Sequence, residues 1–213
     1  MKYKNVLFQT LIKHFSSEIT KLDVLEIGFG TGITSLELLS SDARIKLVAI
    51  DNEPAMYDKA LSKLVTISKE RFELKTIDAL EYLKSQADNS LDAIISVWVL
   101  HNIQKETRNE ILIEIYRVLK TNGIFVSGDK IAVSDKRLHQ EHLDWQFSQF
   151  NVYDEIGRPE LKKEWIEHYV EDENPNRILI EDIFLKDLQQ IGFTLSKVLD
   201  RHYLDAVASA VKP

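Results

Sequence analysis

The chain has 213 residues, 44% hydrophobic and 29% charged, the balance of a soluble globular domain long enough for one sizeable core. It contains no cysteine, which excludes disulfides, thiolate metal sites, iron–sulfur clusters and cysteine nucleophiles. Net charge is −7, with no block rich in Lys or Arg. A nucleic-acid partner, which calls for a basic footprint, is therefore not expected, and no apolar run is long enough to predict a membrane span.

The chain opens on "MKYKNVLFQTLIKHF". Residues 2–18 read as an amphipathic helix whose charges interrupt the apolar pattern, unlike a signal peptide, so a cytoplasmic location is expected. "LDVLEIG" (22–28) is a buried strand that stops at a glycine, and residues 34–41 form the following helix. A second strand (45–51) ends in Asp51, and a helix with proline near its start covers 53–68. A third strand (72–78) ends in Asp78 and leads into a short helix (79–86). Strand 91–99, helix 105–120 and strand 124–129 continue the alternation, with Gly123 as the expected left-handed helix stop. Residues 130–178 break the rhythm: two polar helices, near 134–150 and 158–172, carry Trp145, Phe147, Phe150, Tyr153, Trp165 and Tyr169. A helix at 179–191, stopped by Gly192, precedes two strands joined by a turn expected at Asp200–Arg201. The prediction is one domain, 1–213, with an α/β fold: a Rossmann-like, seven-stranded, mostly parallel sheet with helices on both faces. Its last strand is antiparallel, and a helical lid is inserted after the fifth strand.

A strand–turn–helix rich in glycine lets a ligand approach the backbone at a helix N-terminus. Here Gly28 and Gly30 fit the dinucleotide spacing, but the third glycine, Gly32, comes one residue early and Ile33 stands in its place. No lysine follows Gly32, so the P-loop pattern fails as well. The spacing is E-x-G-x-G-x-G, from Glu26 to Gly32. Asp51, about 20 residues on, stands where a carboxylate accepts both hydroxyls of a ribose. Asp78 ends the third strand. Either aspartate could instead cap the helix that follows it. Glu26 lies inside a strand and must be paired or hydrogen-bonded there, to loop amides or to a bound ammonium.

With "LDAIISVWVLHNI" (91–103) and "EIYRVLKTNGIFVSGD" (114–129), these motifs resemble, in order, those of the class I S-adenosylmethionine-dependent methyltransferases, in particular small bacterial members of the type 11 and type 12 groups. The resemblance implies S-adenosylmethionine as cofactor and S-adenosylhomocysteine as product. It implies that Gly28, Gly30, Thr31 and Gly32 cradle the methionine half, with Glu26 behind them. Asp51 and Asn52 would take the ribose, Asp78 and Ala79 the adenine, and Ser96 and Val97 would line the site. A looser likeness to carboxy-S-adenosylmethionine synthase covers "EDENPNRILIEDIFLKDLQQIGF" (171–193). That enzyme holds its extra carboxylate with an arginine, whereas the register from Gly192 puts Tyr169 there.

A sulfonium methyl is already activated, so the protein must chiefly hold an acceptor in line and keep water out. The resemblance places a histidine, His101, after the fourth strand, as a base or an orienting group. Trp98, Asp129 and Trp145 are candidate acceptor-pocket residues, and each could equally serve packing or a loop. Leu138, His142 and Trp145 read as the inward stripe of a lid helix, with His139 solvated. His139 and His142 share a helix face but show no third ligand, so no metal is expected. The segment 130–178 carries eleven acidic and seven basic side chains, which favours a small neutral or cationic acceptor over nucleic acid. The expected protein is a small-molecule methyltransferase, monomeric or homodimeric. The alternatives are a tRNA-modification enzyme, either a tRNA methyltransferase or one like carboxy-S-adenosylmethionine synthase, and a non-catalytic S-adenosylmethionine-binding protein.

Overall fold

The computed structural model describes residues 2–213. In chain order it runs α1 (Lys2–His14), β1 (Leu22–Ile27), α2 (Ile33–Ser41), β2 (Ile45–Asp51), α3 (Tyr57–Lys63), β3 (Phe72–Thr76), α4 (Ala79–Ser85) and β4 (Leu91–Val97). It continues with α5 (Lys105–Val118), β5 (Leu119–Lys130), α6 (Lys136–Gln149), α7 (Val152–Glu155), α8 (Pro159–Asp172), α9 (Glu181–Ile191), β6 (Thr194–His202) and β7 (Asp205–Val211). Single 3₁₀ turns flank α3 at 54–56 and 64–66, and another covers 100–102 after β4.

The strands form one seven-stranded sheet in the order β3-β2-β1-β4-β5-β7-β6. Strands β1 to β5 pair in parallel, and β7 runs antiparallel between β5 and β6. Central strands such as "LDVLEI" are apolar almost throughout because both faces of the sheet are covered. One face buries Leu25, Ile94, Phe125 and Ala208 against α4, α5 and α9. The other buries Val24, Leu47, Ile95 and Val126 against α1, α2 and α3. The helices α6 to α8 stand apart on a small cluster of their own, Leu143, Phe150, Tyr169 and Leu204.

Several boundaries differ from the sequence expectation. The first helix ends at His14 rather than 18, and the 53–68 helix is a short α-helix between two 3₁₀ turns. Helix α5 ends without the expected left-handed stop, since its capping residue Leu119 is extended (φ −65°, ψ 138°); the left-handed residue nearby is Asn122, φ 62°, in β5, not Gly123, and asparagine tolerates that conformation. Gly123 is needed for a different reason, since a Cβ there would lie 2.8 Å from the Lys120 carbonyl oxygen. The terminal hairpin turns at Tyr203–Leu204 rather than Asp200–Arg201. Its β6 strand is an edge strand with an irregular register between Val198 and Asp200, so polar residues fit inside it.

The order reverses between β1 and β4, because the chain leaves β1 toward β2 and β3 and then returns to the other side. Open α/β sheets bind ligands at the carboxyl ends of strands flanking such a reversal. The Gly28–Gly32 turn and the 97–102 segment both lie there.

Candidate functional site

Two chambers open at this switch point and meet at Gly28 and Trp98. The first, about 450 Å³, is lined by Gly28, Asp51, Asn52, Asp78, Ala79, Val99 and Ile103, among others. The second, about 430 Å³, is lined by the loop from Gly28 to Thr31, by Val97, and across from them by Gln146, Phe150, Tyr153, Trp165 and Tyr169. Core strand ends and their loops build the first chamber. The insertion supplies one wall of the second.

The loop geometry follows from its glycines. Gly28, Gly30 and Gly32 all have positive φ (81°, 48° and 78°), a region costly for residues with a Cβ. At Gly32 a Cβ would lie 2.7 Å from the Ala60 Cα, so the missing side chain lets α2 start tight against α3. At Gly30 a Cβ would meet nothing within 4 Å, and this residue faces the second chamber. Asp51 fixes the loop by accepting from the Gly30 amide at 2.7 Å on Oδ2 and from the Glu53 amide at 2.9 Å on Oδ1. Asp78 caps α4 through Oδ1, taking the Leu80 and Glu81 amides at 2.9 and 3.0 Å. The capping role is therefore real for Asp78, yet both carboxylates also line the first chamber. Glu26 is fully buried and accepts from Ser35 Oγ at 2.5 Å, a tie between β1 and α2.

Other expected site residues lie elsewhere. Ser96 is fully buried in β4 and is not part of either chamber wall. Asp129 is 1% exposed and faces inward: it accepts from the Leu100 amide at 2.8 Å and, by a very short bond, from His101 Nδ1. His101 is itself 3% exposed and stands behind Trp98, edge-on at 5.7 Å between ring centroids. Neither lines a chamber. Trp145 stacks on Tyr203 at 3.9 Å and meets His202 edge-on, which holds α6 to the terminal hairpin instead of facing the second chamber. The expected inward stripe of α6 also shifts. Leu138 is exposed, His142 is buried edge-on against Tyr203, and His139 Nε2 bonds Glu173 at 2.6 Å rather than solvent. Trp98 does line both chambers, in a left-handed conformation (φ 60°) that is strained for a bulky residue.

Sequence reasoning missed Val99, Asn102, Ile103 and Thr107 in the first chamber; their place just past the carboxyl end of β4 was the available signal. It also missed a polar group behind the second chamber. Lys130 Nζ lies 3.5 Å from Asp172 Oδ2 and 3.2 Å from Glu173 Oε1, and sits over the Tyr169 ring at 4.3 Å. Burial pushes the Glu173 carboxyl up, but the His139 bond and the Lys130 charge together hold it below its ordinary value. Burial pushes Asp205, which stands near His202, His101 and Asp129, up to about 6.

A family model described as a methyltransferase domain matches residues 24–123. The carboxy-S-adenosyl-L-methionine synthase of Nautilia profundicola is 28% identical over 134 residues, covering 63% of this chain and 54% of that protein, so this chain spans about half that relative's length. The synthase of the same name from Campylobacter lari is 25% identical over 191 residues, covering 84% of this chain and 78% of its own. Among solved structures, a Haemonchus contortus phosphoethanolamine N-methyltransferase in complex with phosphomonomethylethanolamine and S-adenosylhomocysteine superposes with a TM-score of 0.67. It is 15% identical and covers 97% of this chain and 52% of that one, a likeness of fold. With the seven-stranded sheet, its single antiparallel strand and the glycine turn at the switch point, these matches make the chain similar to the class I S-adenosylmethionine-dependent methyltransferases in fold and in the methyltransferase domain over residues 24–123.

Proposed function

We propose that this chain methylates a small molecule, using S-adenosylmethionine bound across the two chambers. The carrying observation is the pairing of an acid-edged chamber with an aromatic one through a glycine loop. Asp51 offers a carboxylate to a ribose diol, and Asp78 with the Ala79 backbone offers an edge to an adenine. Gly30 leaves room for the methionine half, with Thr31 beside it. The cofactor supplies a methyl group already activated on a sulfonium. The residues of the second chamber hold the acceptor at near-attack distance and exclude water. Among the described residues lining that chamber there is no histidine or carboxylate; His101, pinned by Asp129, acts one layer back as a positioning residue beneath Trp98. On this reading the chain works as one methyltransferase domain, a monomer or homodimer in the cytoplasm, with 130–178 as its lid.

The names of the curated relatives favour a second reading, synthesis of carboxy-S-adenosylmethionine. A carboxylate beside the sulfonium needs a cationic partner. Among the described residues lining the second chamber none is charged, and Tyr169 lies in its wall. Methyl transfer is the reading this lining supports.

Isothermal calorimetry with S-adenosylmethionine and S-adenosylhomocysteine tests the cofactor assignment, with 1:1 binding expected for both. Asp51→Ala should lose about tenfold or more in affinity, the scale of a charge-assisted hydrogen bond. A folded protein that gives no heat at millimolar cofactor would overturn the reading. Transfer of labelled methyl to a fraction of cell extract, with no carboxy-S-adenosylmethionine formed by mass spectrometry, separates the two chemistries.

A further inference from the structure

We propose that His101, His168 and Asp172 form a binding site for a divalent cation of the zinc class, joining α8 to the turn after β4. One ligand atom from each lies within 4.8 Å of the other two. Zinc ligands stand about 2.0–2.2 Å from the metal, so closing the site takes a shift of α8 of about an ångström. His168 and Asp172 are four residues apart in α8 and so share one face of the helix. Asp129 accepts from His101 Nδ1, which leaves Nε2 as the free ring nitrogen. A carboxylate behind an imidazole is the usual support for a histidine that ligates through its other nitrogen.

Two further observations point to a cation. Asp172 is 2% exposed, and its Oδ1 accepts no hydrogen bond while its Oδ2 faces Lys130. A buried carboxylate oxygen left bare is costly without a partner. The cluster also carries three carboxylates, Asp129, Asp172 and Glu173, against one ammonium, Lys130. Carboxylates thus outnumber the ammonium around the three ligand atoms, an arrangement that favours a cation. The mixture of two imidazoles and one carboxylate suits zinc rather than calcium or magnesium, which prefer all-oxygen sites. The His168 side chain is 41% exposed and gives the ion a way in.

The site rests on this geometry and not on the proposed methyl transfer. The test is titration of full-length, EDTA-dialysed protein with zinc chloride in a calorimeter, with magnesium chloride as comparison. The expected result is 1:1 zinc binding and no binding of magnesium at the same concentration. H168A, at a half-exposed position, and D172N should each weaken zinc binding at least tenfold, while S-adenosylmethionine affinity stays unchanged. Cobalt added to the wild-type protein should give the absorption of a nitrogen- and oxygen-ligated low-coordinate ion, a readout that needs no variant. Absence of 1:1 zinc binding by the wild type would overturn the site. Zinc binding unaltered in H168A and D172N would overturn it equally, as would a cobalt spectrum of a six-coordinate ion. Failure here leaves the cofactor calorimetry untouched, so the two proposals fail separately.

Discussion

Gly30 and Gly32 share a left-handed backbone but are constrained by different neighbours. Gly32 is pressed against the Ala60 backbone, whereas Gly30 borders open space in the second chamber. Gly32→Ala should therefore lower unfolding stability by about 2–4 kcal/mol, from overpacking together with the left-handed penalty. Gly30→Ala should cost only about 1–2 kcal/mol in stability, yet reduce S-adenosylmethionine affinity by about tenfold or more as its methyl enters the cradle. Urea denaturation and calorimetry on both variants check this; equal effects on both measurements would remove the distinction. At this scale the sequence was readable where the signal is local. The E-x-G-x-G-x-G spacing is a local pattern, and Asp51 and Asp78 each follow a short apolar run that marks a strand end. Asp129 and Trp145 were misplaced because their partners, His101 and Tyr203, lie 28 and 58 positions away, and no periodicity reports such pairings.

Among the elements, the alternation of strands and helices was legible because buried parallel strands are short apolar runs and the covering helices are amphipathic. Their ends were less so. The hairpin was misjudged by two or three residues because Leu204, 1% exposed, is drawn into the insertion's own core and pulls the turn toward itself. A similar long-range demand falls on Arg108. It lies in α5 and is 4% exposed. It donates to the carbonyls of Leu100, Ile103 and Arg177 at 3.2, 3.3 and 2.6 Å, and to that of Ile178 at 3.3 Å. Burial lowers its pKa, which the surrounding carboxylates only partly offset. It thus laces α5 to the turn after β4 and to the end of the insertion. Arg108→Ala strands those carbonyls in the interior and should cost about 2–4 kcal/mol in unfolding stability. A change below half a kcal/mol in a urea titration would show the laces to be dispensable.

Across the whole molecule, the sheet fixes one half of the candidate site and the insertion the other. Trp165 is an outer wall of the second chamber, stacked near Phe150 at 6.1 Å and absent from the first. Trp165→Ala should leave S-adenosylmethionine affinity within about twofold while raising the acceptor KM by about tenfold, the scale of one lost aromatic contact. An equal loss in both constants would mean that the two halves are not separable. That separability carries an evolutionary consequence. The glycine, aspartate and strand-end positions proposed to hold the cofactor answer to the core, while Gln146, Phe150, Tyr153, Trp165 and Tyr169 hang on helices whose hydrophobic cluster is largely their own. Substitutions there can accumulate, and even a whole α6–α8 segment can be exchanged, without retuning the cofactor end. A lineage built this way changes its substrates by rewriting one contiguous stretch of about fifty codons.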